Sequence, residues 1–489
     1  MSSRWQQPVA TLAATIVIGA IAARRWWQMG PLPTGLDGGQ WLALGRGLFG
    51  DGRSTAGAYP PLVPLLTELI GTVASPGVTL KLVAIGSLLA VLVSIYLLAR
   101  DGLGPWLGLA VVATIGPASA VTEPVAFGGY PQQLAFAFLL IATWALARFL
   151  DAGRLTWLIA AGIGLAGAAL THHIYFPLAL GASGLIWLLW LRIRPSPTDR
   201  LPRTLGALAA AAVSLACFAP TALAFVTARY VPPLDTSSPN PWSAVQYGTR
   251  EATWIWLAIA IVGITALALT AAARRRNPTW QVAVALTISA GTLLAVTAEA
   301  RLLPTLLAGV ALGLGVGWSW MLDRLAGSRF APLPLLRAFL LPLALWLPAD
   351  TAASDYFAYY RVLDEPMLGA AAAITAARPD GLVVVRQDWR NWPIGWWFEG
   401  LTTAPVAVGS DARWLGFPEE RARADLVNRF FGQRLEHDQL RALAAETGVE
   451  LVALRKWEWI GWQRWLEGSN PAVEIVYDDN EFLVLKINS

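Results

Sequence analysis

Residues 79–99, TLKLVAIGSLLAVLVSIYLLA, form an apolar run in which Lys81 is the one charged residue. A helix needs roughly 20 apolar residues to cross a membrane, because the hydrocarbon core is about 30 Å thick and each residue advances the helix by about 1.5 Å. The run has that length, and no charge falls between Leu82 and Ala99. It therefore predicts a transmembrane helix.

Apolar runs of similar length recur along the chain, which predicts a polytopic α-helical membrane protein with about eleven transmembrane helices. The composition agrees, since 56% of the 489 residues are hydrophobic and 14% are charged, against roughly 25% charged in soluble domains. The other predicted spans are 8–25, 105–121, 131–150, 156–172, 173–191, 204–226, 252–273, 280–297, 302–321 and 333–349. Segment 60–75 is interrupted by prolines, so it is interpreted as an interfacial or re-entrant helix, with a twelfth span as the alternative.

The basic residues predict the orientation. Arginines concentrate in the short loops after every second span, and such loops face the cytoplasm. The N-terminus is therefore predicted inside, and an odd span count puts the C-terminal part outside; Arg24 and Arg25 are exceptions to the pattern. The segments predicted outside are 26–60, 117–130, 227–251, 298–301 and everything after about 350. The predicted location is the plasma (inner) membrane, with the first apolar segment retained rather than cleaved as a signal peptide.

The composition changes near residue 350, where charged residues become frequent and the apolar runs shorten. We therefore expect a membrane domain, residues 1–350, and an extracytoplasmic α/β domain, residues 351–489. The predicted strands are 382–385, 406–408, 451–454, 473–476 and 482–485, and the predicted helices are 366–378, 418–431 and 434–447. The single cysteine, Cys217, leaves no disulfide within the chain.

An acidic residue follows the first span, in the stretch GLDGGQW at residues 35–41. Glycines beside Asp37 permit close approach of a bulky substrate. Arg46 and Arg53 come next, and guanidinium groups bind phosphate bidentately. Asp37 is thus a candidate catalytic carboxylate, and Trp41, Arg46 and Tyr59 are candidate substrate-binding residues. The alternative is a solvated loop in which Asp37 caps a helix.

A second acid, Glu123, lies in the next segment predicted outside, so it and Asp37 are expected to face one cavity. Tyr130, Gln132 and Gln133 follow at the start of a span, where their polar groups are suited to binding hydroxyls. The alternative for Glu123 is a loop acid beside a helix start.

Two histidines, His172 and His173, lie at a predicted outer span boundary. Ionisable groups near spans are costly and usually face a cavity, so the pair is a candidate for metal binding, phosphate orientation or proton relay. Adjacent helical side chains point about 100° apart, which disfavours joint ligation of one ion. The alternative is a pair of satisfied histidines within the helix bundle.

Glu299 and Arg301 lie between two later spans on the predicted outer face. Arg301 is suited to holding a lipid phosphate, with Glu299 as its partner. The alternative is that Glu299 and Arg301 form a loop ion pair in which each charge neutralises the other and no ligand is bound.

Tryptophans are dense in the C-terminal part. Indole faces stack on sugars, but they also build hydrophobic cores and membrane-interface belts, and we favour the core or belt interpretation. The residues are Trp389, Trp392, Trp396, Trp397 and Trp414, with Trp457, Trp459, Trp462 and Trp465 later. There is no P-loop, convincing dinucleotide fingerprint, zinc-type Cys/His spacing or Gly-x-Ser-x-Gly, so neither a nucleotide-using cytoplasmic enzyme nor a nucleic-acid partner is expected.

This layout resembles the GT-C superfamily of integral-membrane glycosyltransferases, in particular prokaryotic members that depend on polyprenyl-phosphate sugars. There, an acid lies in the first exoplasmic loop, further acids lie in the next, and the spans lead to a C-terminal exoplasmic domain. Here LDGGQW at 36–41 and YPPL at 59–62 are similar to the first loop, and Glu123 matches the second-loop acid. No Asp-x-Asp stands in the second loop, and WWFE at 396–399 departs from a Trp-Trp-Asp signature, so protein N-glycosylation is not implied.

The resemblance implies a reaction. A sugar moves from a polyprenyl-phosphate donor to a hydroxyl of a glycan, lipid or protein, with inversion and with Asp37 as general base. The residues implied to hold the donor phosphate are Arg301, Arg53, His172 and His173. Glu123 is implied to assist the acceptor or to bind a divalent metal ion. The alternatives are a ligase or polymerase of lipid-linked glycans, and a membrane transporter or flippase.

Overall fold

The computed structural model describes residues 3–49, 59–193, 196–230, 240–250, 252–325, 332–411, 414–432, 434–467 and 471–488. The α-helices in these ranges are α1 (Ser3–Met29), α2 (Gly38–Gly47), α3 (Leu62–Gly71), α4 (Pro76–Leu103), α5 (Pro105–Ile115), α6 (Ser119–Phe127), α7 (Tyr130–Ala152), α8 (Leu155–Thr171), α9 (Tyr175–Ile193), α10 (Pro197–Thr227), α11 (Pro241–Gly248), α12 (Thr253–Arg274), α13 (Pro278–Thr297), α14 (Leu303–Arg324), α15 (Pro332–Tyr359), α16 (Glu365–Ala377), α17 (Gly395–Leu401), α18 (Pro418–Phe431), α19 (His437–Thr447) and α20 (Trp462–Leu466). The strands are β1 (Leu382–Val385), β2 (Val406–Val408), β3 (Val449–Arg455), β4 (Val473–Asp478) and β5 (Phe482–Ile487).

Among the described residues, eight helices are long and apolar enough to cross a membrane: α1, α4, α7, α9, α10, α12, α13 and α14. The multi-pass helical membrane character is therefore confirmed. Every predicted span except 105–121 falls on one helix. Predicted spans 156–172 and 333–349 lie on α8 and α15, which are outside the count of eight. Segment 60–75 forms the helix α3 of 10 residues, which is too short for a twelfth span.

The prediction of one continuous helix over residues 105–121 is wrong. Two helices, α5 and α6, occupy this region and are bent by 56° relative to each other; counted together they raise the number of spans to nine among the described residues. Gly116 and Pro117 lie at the bend. Proline has no backbone N–H to continue the helical hydrogen bonds, which explains the break.

The chain forms two compact units. The first comprises Met1–Gly30, Leu82–Pro220 and Ser238–Tyr359, and the second comprises Pro31–Lys81, Thr221–Ser237 and Tyr360–Ser489. The predicted division at residue 350 separates a membrane domain from an extracytoplasmic domain, which is a different criterion from compactness. That division stays a prediction.

In the first unit, helices pack closely against one another at glycine residues. Helix α7 packs between α8 and α9, and α14 packs against α12 and α13. At Gly164 on α8, an added Cβ would lie 2.6 Å from the backbone nitrogen of Ala142 on α7. Small residues of this kind allow membrane helices to approach backbone to backbone.

Substituting Gly164→Ala is expected to destabilise the first unit by about 1–3 kcal/mol, because the new methyl overpacks the contact between α7 and α8. Gly162→Ala is the matched control, since a Cβ there would meet nothing closer than 4.0 Å. The melting temperature of the purified protein should fall for the first variant and stay near wild type for the second. Equal melting temperatures would contradict the close contact.

The second unit contains a five-stranded sheet of order β2-β1-β3-β5-β4. Strand β1 pairs in parallel with β2 and β3, whereas β5 pairs antiparallel with β3 and β4. The unbroken apolar run of β1 suits this position, since parallel strands are covered on both faces. All five predicted strands and the three predicted C-terminal helices are present, so the α/β domain is confirmed.

The core interpretation holds for the tryptophans that are buried. Trp392, Trp396, Trp397 and Trp465 lie inside the second unit. Trp389 and Trp414 are exposed at 65% and 39%.

Candidate active site

Asp37 immediately precedes α2 and is half-buried. Its side chain makes no capping hydrogen bond to the first turn of that helix. Asp37 thus occupies the N-cap position of α2, but the side-chain cap expected in the alternative is not formed.

The aromatic and basic neighbours of Asp37 are packed within the second unit. The Trp41 side chain is buried, and its ring meets that of Tyr59 edge to face with centroids 4.9 Å apart. The Arg46 guanidinium donates to the backbone carbonyl of Glu399. The substrate-binding roles predicted for these three residues stay predictions. Arg53 lies outside the described residues.

Sequence reasoning missed Lys81 as a functional candidate. The residue is only 7% exposed, and it belongs to the second unit together with Asp37. A cation near the start of an apolar helix is costly and marks a functional site in membrane proteins. Its position as the one charge in residues 79–99 was the available signal.

Glu123 is placed differently from its prediction. The residue lies inside α6 rather than in a loop, because the run Ser119–Phe127 is helical despite Pro124. The carboxylate is buried and accepts a hydrogen bond from the Tyr247 hydroxyl on α11. The Tyr247 carbonyl in turn accepts from the Tyr356 hydroxyl at 3.2 Å. Glu123 therefore links α6 to α11 within the first unit.

The two histidines lie between α8 and α9, and the expectation that their side chains diverge is wrong. His172 has extended backbone (φ −156°), so the helical spacing of about 100° does not apply. The imidazole rings stack with centroids 4.9 Å apart and planes within 10°. His172 Nδ1 accepts from the backbone N–H of Ile174 at 3.2 Å, which favours Nε2 as its protonated nitrogen.

Arg301 lies near this histidine pair in the first unit, where its charge acts on both rings. Its carbonyl accepts from the Tyr175 hydroxyl at 2.6 Å. Its guanidinium lies 3.6 Å from Glu299, whose carboxylate also accepts from the Arg301 backbone N–H. The pairing predicted for Glu299 and Arg301 is thus present, while the Arg301 side chain keeps 48% of its surface exposed.

The polar residues at the start of α7 are buried. Tyr130 is fully buried, Gln132 is 4% exposed and Gln133 is 1% exposed. Gln133 donates to the Val121 carbonyl at 3.0 Å, which joins α7 to α6. Gln132 lies close to the Tyr175 hydroxyl. Their predicted role in binding hydroxyls stays a prediction.

Burial keeps both histidines neutral at pH 7. Desolvation, reinforced by the Arg301 charge, lowers the pKa of His173 to about 4. Desolvation also lowers the pKa of His172 well below its ordinary value, with His173 and Arg301 adding to the effect. Neutral imidazoles can donate one hydrogen bond each, but they add no positive charge to the site.

This depressed pKa predicts a pH dependence of stability. A histidine whose folded pKa lies near 4 and whose unfolded pKa lies near 6.5 stabilises the fold above pH 6.5, and this contribution is lost as the pH falls through 4. The loss for His173 should reach about 3 kcal/mol. The stability difference between wild type and His173→Gln should therefore shrink from pH 7 to pH 4. A difference that stays constant over this range would contradict a neutral, half-buried His173.

A small cavity lies inside the second unit, beside α2, α17 and α18. Its volume is about 40 Å³, and its polar lining includes Gln40, Glu399, Glu420 and Arg423. Burial raises the pKa of Glu420 to about 7. The space holds a few water molecules rather than a sugar ring.

The structure groups the candidates in two sets. Asp37, Trp41, Arg46, Tyr59 and Lys81 belong to the second unit, while Glu123, the histidine pair, Glu299, Arg301 and the residues at the start of α7 belong to the first. The expectation that Asp37 and Glu123 face one cavity stays a prediction. Within the described ranges, no group of three or more His, Cys, Asp or Glu side chains is arranged to hold a metal ion.

Comparisons with known proteins agree with this architecture. A family model described as dolichyl-phosphate-mannose-protein mannosyltransferase matches residues 58–223. No curated protein matches the chain.

Two solved structures of ArnT from Cupriavidus metallidurans share the fold over nearly the full length of both chains. The form bound to undecaprenyl phosphate has 13% sequence identity and a TM-score of 0.58, covering 99% of this chain and 98% of that one. The apo form has 15% identity and a TM-score of 0.62, covering 98% of each chain.

The Archaeoglobus fulgidus oligosaccharyltransferase, solved in complex with Zn and sulfate, is also similar. It has 15% identity and a TM-score of 0.54, covering 90% of this chain and 68% of that chain. At these identities the likeness to the solved structures shows a shared fold, and it agrees with the resemblance noted from the sequence.

Proposed function

We propose that this protein is a membrane glycosyltransferase that moves a sugar from a polyprenyl-phosphate donor to an acceptor hydroxyl, with Asp37 as general base. The single observation that carries the proposal is the half-buried Asp37 at the start of α2, in a chain that shares the fold of ArnT. The fold and the family match support glycosyl transfer over the transporter alternative.

The base step follows from the chemistry of a carboxylate. Asp37 takes the proton of the acceptor hydroxyl while the hydroxyl oxygen forms a bond to the anomeric carbon. The bond from that carbon to the phosphate oxygen breaks, and the electron pair leaves with the polyprenyl phosphate. Attack opposite the leaving group inverts the anomeric configuration.

The leaving phosphate needs fixed positive charge and hydrogen-bond donors. Arg301 supplies a guanidinium with much of its surface exposed, and the neutral His172 and His173 supply N–H groups beside it. The undecaprenyl phosphate in the similar ArnT structure supports a polyprenyl lipid as the carrier.

Glu123 has a positioning role in this scheme. Its hydrogen bond to Tyr247 holds α11 against α6, and a buried carboxylate of this kind can also assist the acceptor or a divalent ion. The acceptor is a hydroxyl of a glycan, lipid or protein. The site is proposed to face the outer side of the plasma (inner) membrane, with the N-terminus cytoplasmic.

The proposal is tested by incubating membranes that contain the protein with a panel of polyprenyl-phosphate sugars and extracted cell-envelope acceptors. Mass spectrometry of the lipid fraction should show conversion of one donor class to free polyprenyl phosphate, with the sugar recovered on an acceptor. Membranes without the protein are the control. Unchanged donors across the panel would overturn the proposal.

A further inference from the structure

Within the second unit, residues of the C-terminal part of the chain contact the backbone before and after Asp37. The Trp397 indole Nε1 donates to the carbonyl oxygen of Gly35 at 3.0 Å, and this hydrogen bond is buried. The Gly35 N–H donates to the carbonyl oxygen of Tyr360, also at 3.0 Å. The residue two positions before Asp37 is therefore fixed through both of its backbone polar groups.

The residues after Asp37 are held by close backbone contact with α17. A Cβ added at Gly39 would lie 2.3 Å from the carbonyl oxygen of Trp396, and one added at Gly400 would lie 2.3 Å from the carbonyl oxygen of Gly39. At Gly38 an added Cβ would lie 2.7 Å from the Trp397 ring. Only glycine fits at these three positions without displacing a neighbour.

Plain core packing explains why Trp397 is buried, but it does not require the indole N–H bond. An apolar ring of similar size would fill the same space without donating to Gly35. The bond joins the indole to the turn that leads into Asp37, and Gly35 has a positive φ of 118° there. The hydrogen bond from the Trp397 indole to the Gly35 carbonyl therefore restrains the backbone of this turn.

We propose that Trp397 is a positioning residue that sets the Asp37 carboxylate through the backbone of Gly35. The inference rests on the proposed function, in which Asp37 is the general base. It assigns the C-terminal domain a part in the chemistry, because the domain holds the base in place from a site more than three hundred residues along the chain. Displacement of a reacting group by about 1 Å can lower a rate by about 100-fold.

The first test removes the indole N–H and leaves a smaller aromatic ring in its place. In Trp397→Phe, kcat should fall by about 10- to 100-fold, while the KM for the donor changes little. Hydrogen exchange over residues 31–48 should become faster. Trp389→Phe is the matched control, because Trp389 is 65% exposed. It should leave both measurements unchanged.

A second variant guards against misfolding. The tryptophan analogue 3-benzothienylalanine at position 397 has sulfur in place of the indole N–H, so it keeps the shape and loses the donor.

Gly39→Ala should reproduce the loss of kcat, whereas Gly71→Ala should not, because a Cβ at Gly71 meets nothing within 4 Å.

The outcomes separate this inference from the proposed function. Loss of kcat and faster exchange in the analogue, together with inactivity of Asp37→Asn, would support the positioning role. Unchanged kcat in the analogue while Asp37→Asn is inactive would overturn it and leave the proposed base intact. Full activity of Asp37→Asn would remove the base from the proposed function, and it would equally overturn a positioning role for Trp397.

Discussion

Asp37→Asn is expected to lose about 1000-fold in the rate of sugar transfer, because general bases contribute roughly 100- to 10,000-fold. The amide has nearly the shape of the carboxylate but cannot take the acceptor proton. Because Asn and Asp are nearly isosteric, the variant should fold and insert as wild type does. The rate is measured as release of polyprenyl phosphate in membranes matched for protein level.

Glu68→Gln is the control for this prediction, since Glu68 is a half-buried acid on α3 in the same unit. Its transfer rate should stay within a few-fold of wild type. If Asp37→Asn turned over as fast as this control, Asp37 would have no part in proton transfer.

Arg301→Ala is expected to lower the transfer rate by about 100-fold, because removal of one preorganised group that stabilises developing charge costs roughly 100- to 1000-fold. Since His172 and His173 are held neutral by burial, Arg301 is the charged member of its cluster with Glu299 as the opposing acid. Arg301→Lys should recover part of the rate, because the charge returns without the bidentate geometry.

The control for Arg301 lies at the far end of α14, the helix that follows it. Arg324, in the last turn of α14, has its guanidinium over the Trp320 ring at 4.0 Å. Arg324→Ala should leave donor turnover near wild type. Equal losses in the two variants would point to a general effect of arginine on insertion and would contradict a specific role for Arg301.

The sequence was sufficient for most of the long helices and for the strands, because each of these has a strong local signal. Apolar runs such as residues 79–99 identify α4 without any knowledge of its neighbours. The Val-rich run of β1 likewise indicates a buried strand. The break between α5 and α6 was missed because Gly116 and Pro117 interrupt the helix without interrupting the apolar pattern.

The site was harder to predict because it depends on contacts between distant residues. Asp37 was identifiable from its glycines and its place after a span, but its link to Trp397 lies more than three hundred residues away along the chain. The stacking of His172 on His173 depends on extended backbone at His172, and no local sequence pattern predicts that conformation. Lys81 was overlooked because the apolar run around it dominated the interpretation.

The central claim is that Asp37 accepts the proton of the acceptor hydroxyl. The direct measurement uses Asp37→Ala with a polyprenyl-phosphate sugar and added azide, an anion that attacks without losing a proton. The account predicts that azide restores release of polyprenyl phosphate and forms the inverted glycosyl azide, while transfer to hydroxyl acceptors stays lost. If azide restored nothing in this variant although the donor still bound, a base role for Asp37 would be contradicted.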